Sequence, residues 1–217
     1  MPDVANRAPD RTTVPTIRPV LPHERMQIHF EHPLSDARFA ALCQENDTLR
    51  IEQNPDGSLL IMSPTGGLSG ARNTRIMRYL DEWAEKDGTG IAFDSSTMFR
   101  LPNGAHRMPD AAWVQRERYM ALTEDERAGF VPLAPDFVIE LRSPTDPLHA
   151  LKHKMNEYMR AGVRLGWLID PQTETVTTYT PDGPPEALDR PDRVAAQDVV
   201  EGFTLPMKRI WDPLGTA

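Results

Sequence analysis

The stretch PDFVIELRSP, from Pro135 to Pro144, constrains this chain more than any other. Phe137, Val138, Ile139 and Leu141 predict a buried strand over residues 136–142. Yet Asp136 stands at its mouth, Glu140 near its end, and Arg142 follows. A carboxylate embedded in V-I-E-L is costly to bury unless a partner meets it. Asp136 and Glu140 face the same side with Val138 between them, and at the usual rise of a strand they lie about 13 Å apart. That is too far to share one metal ion, whose oxygen ligands sit at about 2–2.5 Å. Asp136, in a Pro-Asp step, fits a residue that caps the strand entrance. Glu140 needs a partner from another strand.

The sequence offers one in MPDAAWV, where Asp110 opens a predicted strand over 110–115. If the two strands run antiparallel, the start of one meets the end of the other, and opposed residues stand about 4.5–5.5 Å apart. Two carboxylates at that separation can hold one Mg²⁺ or Mn²⁺ between them. Without the ion they repel and raise one another's pKa. Arg142 falls on the face of Glu140, two residues on. An Asp followed by Glu-x-Lys on the adjacent strand is the spacing that metal-dependent nucleases use, the Lys orienting water or neutralising developing charge. Arg142 can supply charge but cannot act as a base. A second cation is Lys154. On a helix predicted over 147–161, with Asp146 as N-cap and Gly162 past its end, the core stripe is Leu148, Leu151, Met155 and Tyr158. Lys154 lies at the edge of that stripe and points either onto the sheet or into solvent.

The rest of the chain reads as mixed strand and helix, α/β (α+β) with a mixed sheet. Residues 1–22 are rich in Pro, Arg and Asp without periodicity and predict a disordered arm; residues 23–217 then form a single domain. A helix is expected over 34–45 and a hairpin turn at Asn54-Pro55-Asp56-Gly57. A loop is expected over 63–70 and an amphipathic helix from Ala71 to Lys86. Strands are expected over 90–94, 97–101, 165–169 and 175–179, and a short helix over 123–129 with Thr123 and Glu126 as a capping box. Residues 181–198 read as irregular, and FTLPMKRIW as a segment that packs back on the core. The single cysteine, Cys43, excludes an intrachain disulfide and fits a reducing cytoplasm. No apolar run is long enough to span a membrane. The net charge of −8 speaks against a protein that coats DNA, but a local basic groove can coexist with it.

The ordered set LRIEQNPDGSLLIMSPTGG, MPDAAWV, PDFVIELRSPTD, KMNEYMRAGVRLGWLIDP and VTTY resembles the Uma-two family of endonucleases, within the restriction-endonuclease-like PD-(D/E)XK superfamily, over about residues 45–182. The resemblance implies a mixed central sheet flanked by helices, with Mg²⁺ or Mn²⁺ held between strands, DNA as partner and pairing as a homodimer. Asp110 matches the family's metal-binding Asp, and Glu140 the Glu of its Glu-x-Lys element. Arg142 stands at the Lys position, while Lys154 and Tyr158 match a helix K-x-x-x-Y motif thought to replace it. Glu52 matches a further acid, a metal ligand or the group that orients one. Asn73 stands where relatives carry His. Arg72, Arg107 and their neighbours Arg75, Arg78 and Arg100 are candidates to face phosphate, as Asn73 and Tyr158 are to face substrate; a solvated face is the alternative for the arginines.

Two function classes follow: a metal-dependent endonuclease, or a catalytically inactive module that keeps the fold for binding or assembly. A metal-free hydrolase lacks a G-x-S-x-G elbow. The loop PTGGLSG lacks the G-K-S/T of a nucleotide-binding loop. His149 and His153 are spaced i, i+4, but outside an H-E-x-x-H frame.

Overall fold

In a computed structural model describing residues 26–196 and 198–215, the N-terminal half runs β1 (Met26–Ile28), α1 (Asp36–Glu45), β2 (Arg50–Gln53), β3 (Leu59–Met62), α2 (Gly67–Asp87), β4 (Gly90–Asp94), β5 (Phe99–Arg100) and β6 (His106–Arg107). Then follow β7 (Ala111–Gln115), α3 (Arg116–Met120), α4 (Glu124–Ala128), β8 (Phe137–Leu141), α5 (Leu148–Arg160), β9 (Leu165–Asp170) and β10 (Thr175–Tyr179). The chain closes with β11 (Glu186–Asp189), β12 (Arg193–Ala195), β13 (Thr204–Pro206) and α6 (Lys208–Trp211). The arm expected over 1–22 lies outside the described residues.

The FVIEL strand, β8, lies inside a six-stranded sheet of order β11-β10-β9-β8-β7-β4. It pairs antiparallel with β7 and parallel with β9, so the sheet is mixed. A parallel neighbour requires a crossover, and α5 provides it. Alternation along β8 sends Phe137, Ile139 and Leu141 to one face, where Ile76, Leu80 and Ala84 of α2 pack with Phe203, Leu205, Met207 and Ile210 of the C-terminal segment. Val138 goes to the other face, among Ala112, Val114 and Leu168, beneath Leu151, Met155 and Tyr158 of α5. Every residue of β8 is buried. A second sheet, β1-β3-β2-β6-β5, builds its own apolar cluster with Phe39 and Leu42 of α1. Its strand β2 carries Glu52 toward α5.

Several elements match expectation closely. Strands β4 and β10 keep their expected bounds, Thr123 and Glu126 close a reciprocal capping box, and Gly57 takes φ +82° in the turn between β2 and β3. Others differ. The loop expected over 63–70 ends early, because α2 begins at Gly67. Glycines weaken a helix by about 1 kcal/mol each, but this helix is 21 residues long and its packing face offsets the cost. The strand expected over 97–101 shortens to Phe99–Arg100. Residues 181–198 are not irregular throughout: β11 pairs antiparallel with β10, and β12 with β13. The prolines at 184 and 185 precede β11, an edge strand, where missing amide donors matter least. At the start of α5 the capping position belongs to Pro147, and the Asp146 carboxylate turns back to accept the Ser143 N–H at 3.0 Å. No helix among the described residues is long and apolar enough to cross a membrane.

Candidate active site

The antiparallel register Ala111↔Ile139, Ala112↔Val138 and Trp113↔Phe137 extends one step to set Asp110 opposite Glu140. Both lie on the α5 side of the sheet. Asp110 Oδ2 accepts the Leu141 N–H at 2.8 Å, and its Oδ1 accepts from Asn73 Nδ2 at 3.2 Å. The Arg50 guanidinium stands 4.0 Å from the same Oδ1. Glu140 Oε1 accepts from the Tyr158 hydroxyl at 2.9 Å and from Lys154 Nζ at 2.8 Å. Lys154 therefore leaves the edge of its helical stripe to point onto the sheet, and Nζ also reaches Glu52 Oε1 at 2.8 Å.

Two acids, Glu140 and Glu52, share one ammonium, and Asp110 stands within its electrostatic reach. Burial pushes the Glu140 carboxyl up; Lys154 opposes this, Asp110 and Glu52 add to it, and the result is a pKa of about 7. Burial also raises Asp110, against the lowering influence of the Leu141 N–H, Arg50, Lys154 and Asn73. Burial pushes Glu52 up as well, but there Lys154, Arg107 and the Met108 N–H prevail and hold it below its ordinary value. Lys154 shows the converse: burial works against its charge, and Glu140 and Glu52 outweigh burial, so its pKa rises. Burial followed by the same two acids drives the Tyr158 hydroxyl well up. Near neutral pH the ammonium is charged and the phenol neutral, and Glu140 gives up its proton reluctantly because the positive charge nearby does not match the acids.

A cleft of about 400 Å³ opens onto this pair, lined by Arg50, Asn73, Asp110, Glu140 and Lys154 with the loop from Ser143 to Asp146. The donor set is hard oxygen, which suits Mg²⁺ or Mn²⁺; Mg²⁺ takes one or two carboxylates and completes its shell with water and substrate oxygens. A second observation agrees. Asn73 Oδ1 is buried without a donor among the described residues, and the amide cannot be turned round without opposing oxygen to the Asp110 carboxylate. That acceptor fits a hydrated cation. Glu52 does not join as a third ligand. Its Oε1 accepts from Lys154 and from the Met108 N–H at 2.9 Å, its Oε2 faces Arg107 at 3.6 Å, and it is 1% exposed. Among the described residues no group of three His, Cys, Asp or Glu side chains is arranged to hold a metal. A larger cleft of about 890 Å³ adjoins on the far side of Lys154, but its buried acids Glu52 and Glu157 are already paired with Arg107 and Lys154.

Several expected site residues are placed elsewhere. Arg142 turns from the cleft to Asp170 Oδ2 at 2.7 Å and the Asp146 carbonyl at 3.1 Å, because Asp170 ends the neighbouring parallel strand. Arg107 is buried and spends its donors on Glu157 at 2.6 Å, the Gln53 carbonyl at 3.1 Å and Asn54 at 2.8 Å, so it braces the second sheet against α5 rather than facing substrate. Arg72 ties α2 to the C-terminal segment through the Ile210 carbonyl at 2.8 Å. Tyr158 is fully buried and reaches only as far as Glu140. Asp136 closes the opposite end of β8, accepting the Gln115 N–H at 2.9 Å and facing Arg118 at 2.7 Å. His149 and His153 lie exposed on α5. The residue that sequence reasoning passed over is Arg50. The signal was present in alternation: on β2, Arg50 shares a face with Glu52.

The model of the Uma2 family, described as "Putative restriction endonuclease", matches residues 36–208. No curated protein matches the chain. Among solved structures, the crystal structure at 1.96 Å of a protein described as a putative nuclease belonging to DUF820, from Anabaena variabilis ATCC 29413, superposes with a TM-score of 0.64 at 22% identity. The match covers 75% of this chain and 89% of that one. It shows that the two share a fold, here a mixed sheet between helices.

Proposed function

The chain belongs to the Uma2 family, and on that premise we propose that it is a divalent-metal-dependent endonuclease that hydrolyses phosphodiester bonds of DNA at the Asp110–Glu140 pair. One observation carries the reading. Two carboxylates from antiparallel neighbours, Glu140 buried and Asp110 15% exposed, meet at the floor of an open cleft with less positive charge than they need. A structural pair of acids would be neutralised by its surroundings, as Asp136 is by arginine.

Asp110 and Glu140 would hold Mg²⁺ or Mn²⁺. When bound, such an ion acidifies a water and stabilises charge on the phosphoryl oxygens. The chain's own groups set the frame. The Leu141 N–H and Asn73 amide fix Asp110, and the Tyr158 hydroxyl fixes Glu140. An ammonium has three donors, of which Lys154 uses one on Glu140 and one on Glu52. The third is available to the cleft. Held charged, Lys154 orients a water or neutralises developing negative charge and does not take the proton. Glu52 holds the ammonium in place, and Arg107 holds Glu52.

The test is nicking of supercoiled plasmid in Mg²⁺, in Mn²⁺ and in EDTA. The wild type is expected to cleave only with metal, and Asp110→Asn and Glu140→Gln are expected not to cleave. Folded wild-type protein that leaves plasmid intact in both metals contradicts the reading and leaves a nuclease fold used for binding or assembly.

A further inference from the structure

Lys154 is committed to two acids, Arg142 to Asp170, Arg107 to Glu157 and the β2–β3 turn, and Arg72 to the C-terminal segment. Among the described residues lining the smaller cleft, Arg50 is the one guanidinium. We propose that Arg50 is the phosphate-binding cation of this site, donating to a non-bridging oxygen of the nucleic-acid backbone beside Asp110. The proposal rests on the nuclease reading above and adds a residue to it.

Strand β2 presents Arg50 and Glu52 on one face, and both grip the segment that delivers Asp110. Glu52 accepts the Met108 N–H at 2.9 Å, while Arg50 Nη2 donates to the Met108 carbonyl at 3.5 Å and to the Ser95 carbonyl at 2.8 Å. The guanidinium is thus fixed from behind by two backbone oxygens. On its forward edge the acid in reach, among the described residues, is Asp110 through Oδ1 at 4.0 Å, beyond hydrogen-bond length. Nε is buried with no hydrogen-bond partner among the described residues. An unsatisfied buried donor is destabilising, and in a native fold it calls for an explanation such as strain, a functional role or a bound water or ion. A guanidinium held through Nη2 by carbonyls and 28% exposed to a cleft keeps Nη1 as a charged donor for a phosphate oxygen. Its charge also tempers the electrostatic repulsion that two bare carboxylates would offer an approaching polyanion.

The experiment is fluorescence anisotropy of a short labelled duplex across a salt series in EDTA, with Mn²⁺ calorimetry on the same proteins. Arg50→Gln is expected to weaken duplex binding about tenfold and to flatten the plot of log affinity against log salt by about one unit, the signature of a lost phosphate contact. Arg50→Lys keeps the slope, which separates a charge contact from a folding defect. Lys86→Gln, on the exposed far end of α2, moves neither. Mn²⁺ affinity in Arg50→Gln stays equal or tightens, since a cation near Asp110 has gone. An Arg50→Gln protein with wild-type affinity and slope overturns the proposal, as does a wild type without salt-dependent duplex binding. A wild type that binds duplex through Arg50 but cleaves nothing refutes the nuclease reading alone and leaves the phosphate contact standing.

Discussion

Asp136 and Glu140 stand on one face of β8, one at each end, at 1% and 4% exposure. Their surroundings are opposite. Asp136 accepts a backbone N–H from Gln115 and faces two guanidiniums, Arg118 at 2.7 Å and Arg164 at 3.8 Å. Glu140 faces two more acids and shares one ammonium with Glu52. The first end is a closed ion-pair cluster that fastens β8 to its neighbours. The second keeps uncompensated charge where a cleft reaches it. Burial alone does not mark a site; an acid buried without enough positive charge does.

The sharpest way to break this contrast is cleavage. Glu140→Gln and Asp110→Asn are expected to lower plasmid cleavage about a thousandfold or more, equivalent to about 4 kcal/mol, whereas Asp136→Asn leaves the rate per folded molecule within a few-fold. Next in size is a pH effect on stability. The Glu140 pKa rises from 4.5 to about 7 on folding, chiefly through burial. Between those values the folded protein keeps a proton that the unfolded chain has released, so wild-type stability falls as pH climbs from about 4.5 to about 7. Glu140→Gln removes that fall, a difference on the order of 3 kcal/mol between acid and mildly alkaline solution. Denaturant melts in EDTA check it; parallel pH dependence in the two proteins would remove the frustration assigned to Glu140.

Asp136→Ala is expected to destabilise by about 2 kcal/mol, mostly through the orphaned Gln115 N–H, because its guanidinium partners are partly solvated and contribute less. Its stability should suffer while its metal binding does not. Smallest is Arg142→Gln. Breaking the Asp170 pair is expected to cost about 1 kcal/mol, read as a lower thermal midpoint, with cleavage changed less than about threefold. A large loss of cleavage at intact stability would return Arg142 to the site.

What the sequence could reveal follows from distance along the chain. The opposition of Asp110 and Glu140 was legible because antiparallel pairing makes the start of one strand meet the end of the next. The inward turn of Lys154 was legible as one of two readings, since the stripe of Leu151, Met155 and Tyr158 fixes the helix rotation. Glu52 was legible as an acid near the site but not in its contacts. It sits on a second sheet, and its docking against α5 pairs residues 102 positions apart. Arg107 looked like a phosphate ligand because nothing local shows Glu157 waiting 50 residues away. Arg50 escaped for the same reason: its anchors, Ser95 and Met108, belong to segments that only the fold brings to β2.

The most direct test of the account is calorimetric titration of Mn²⁺ into four proteins: wild type, Asp110→Asn, Glu140→Gln and Asp136→Asn. One site is expected in the wild type, lost in the first two variants and retained in Asp136→Asn. Metal binding that survives in Asp110→Asn and Glu140→Gln, or a folded wild type that binds no metal, would contradict it.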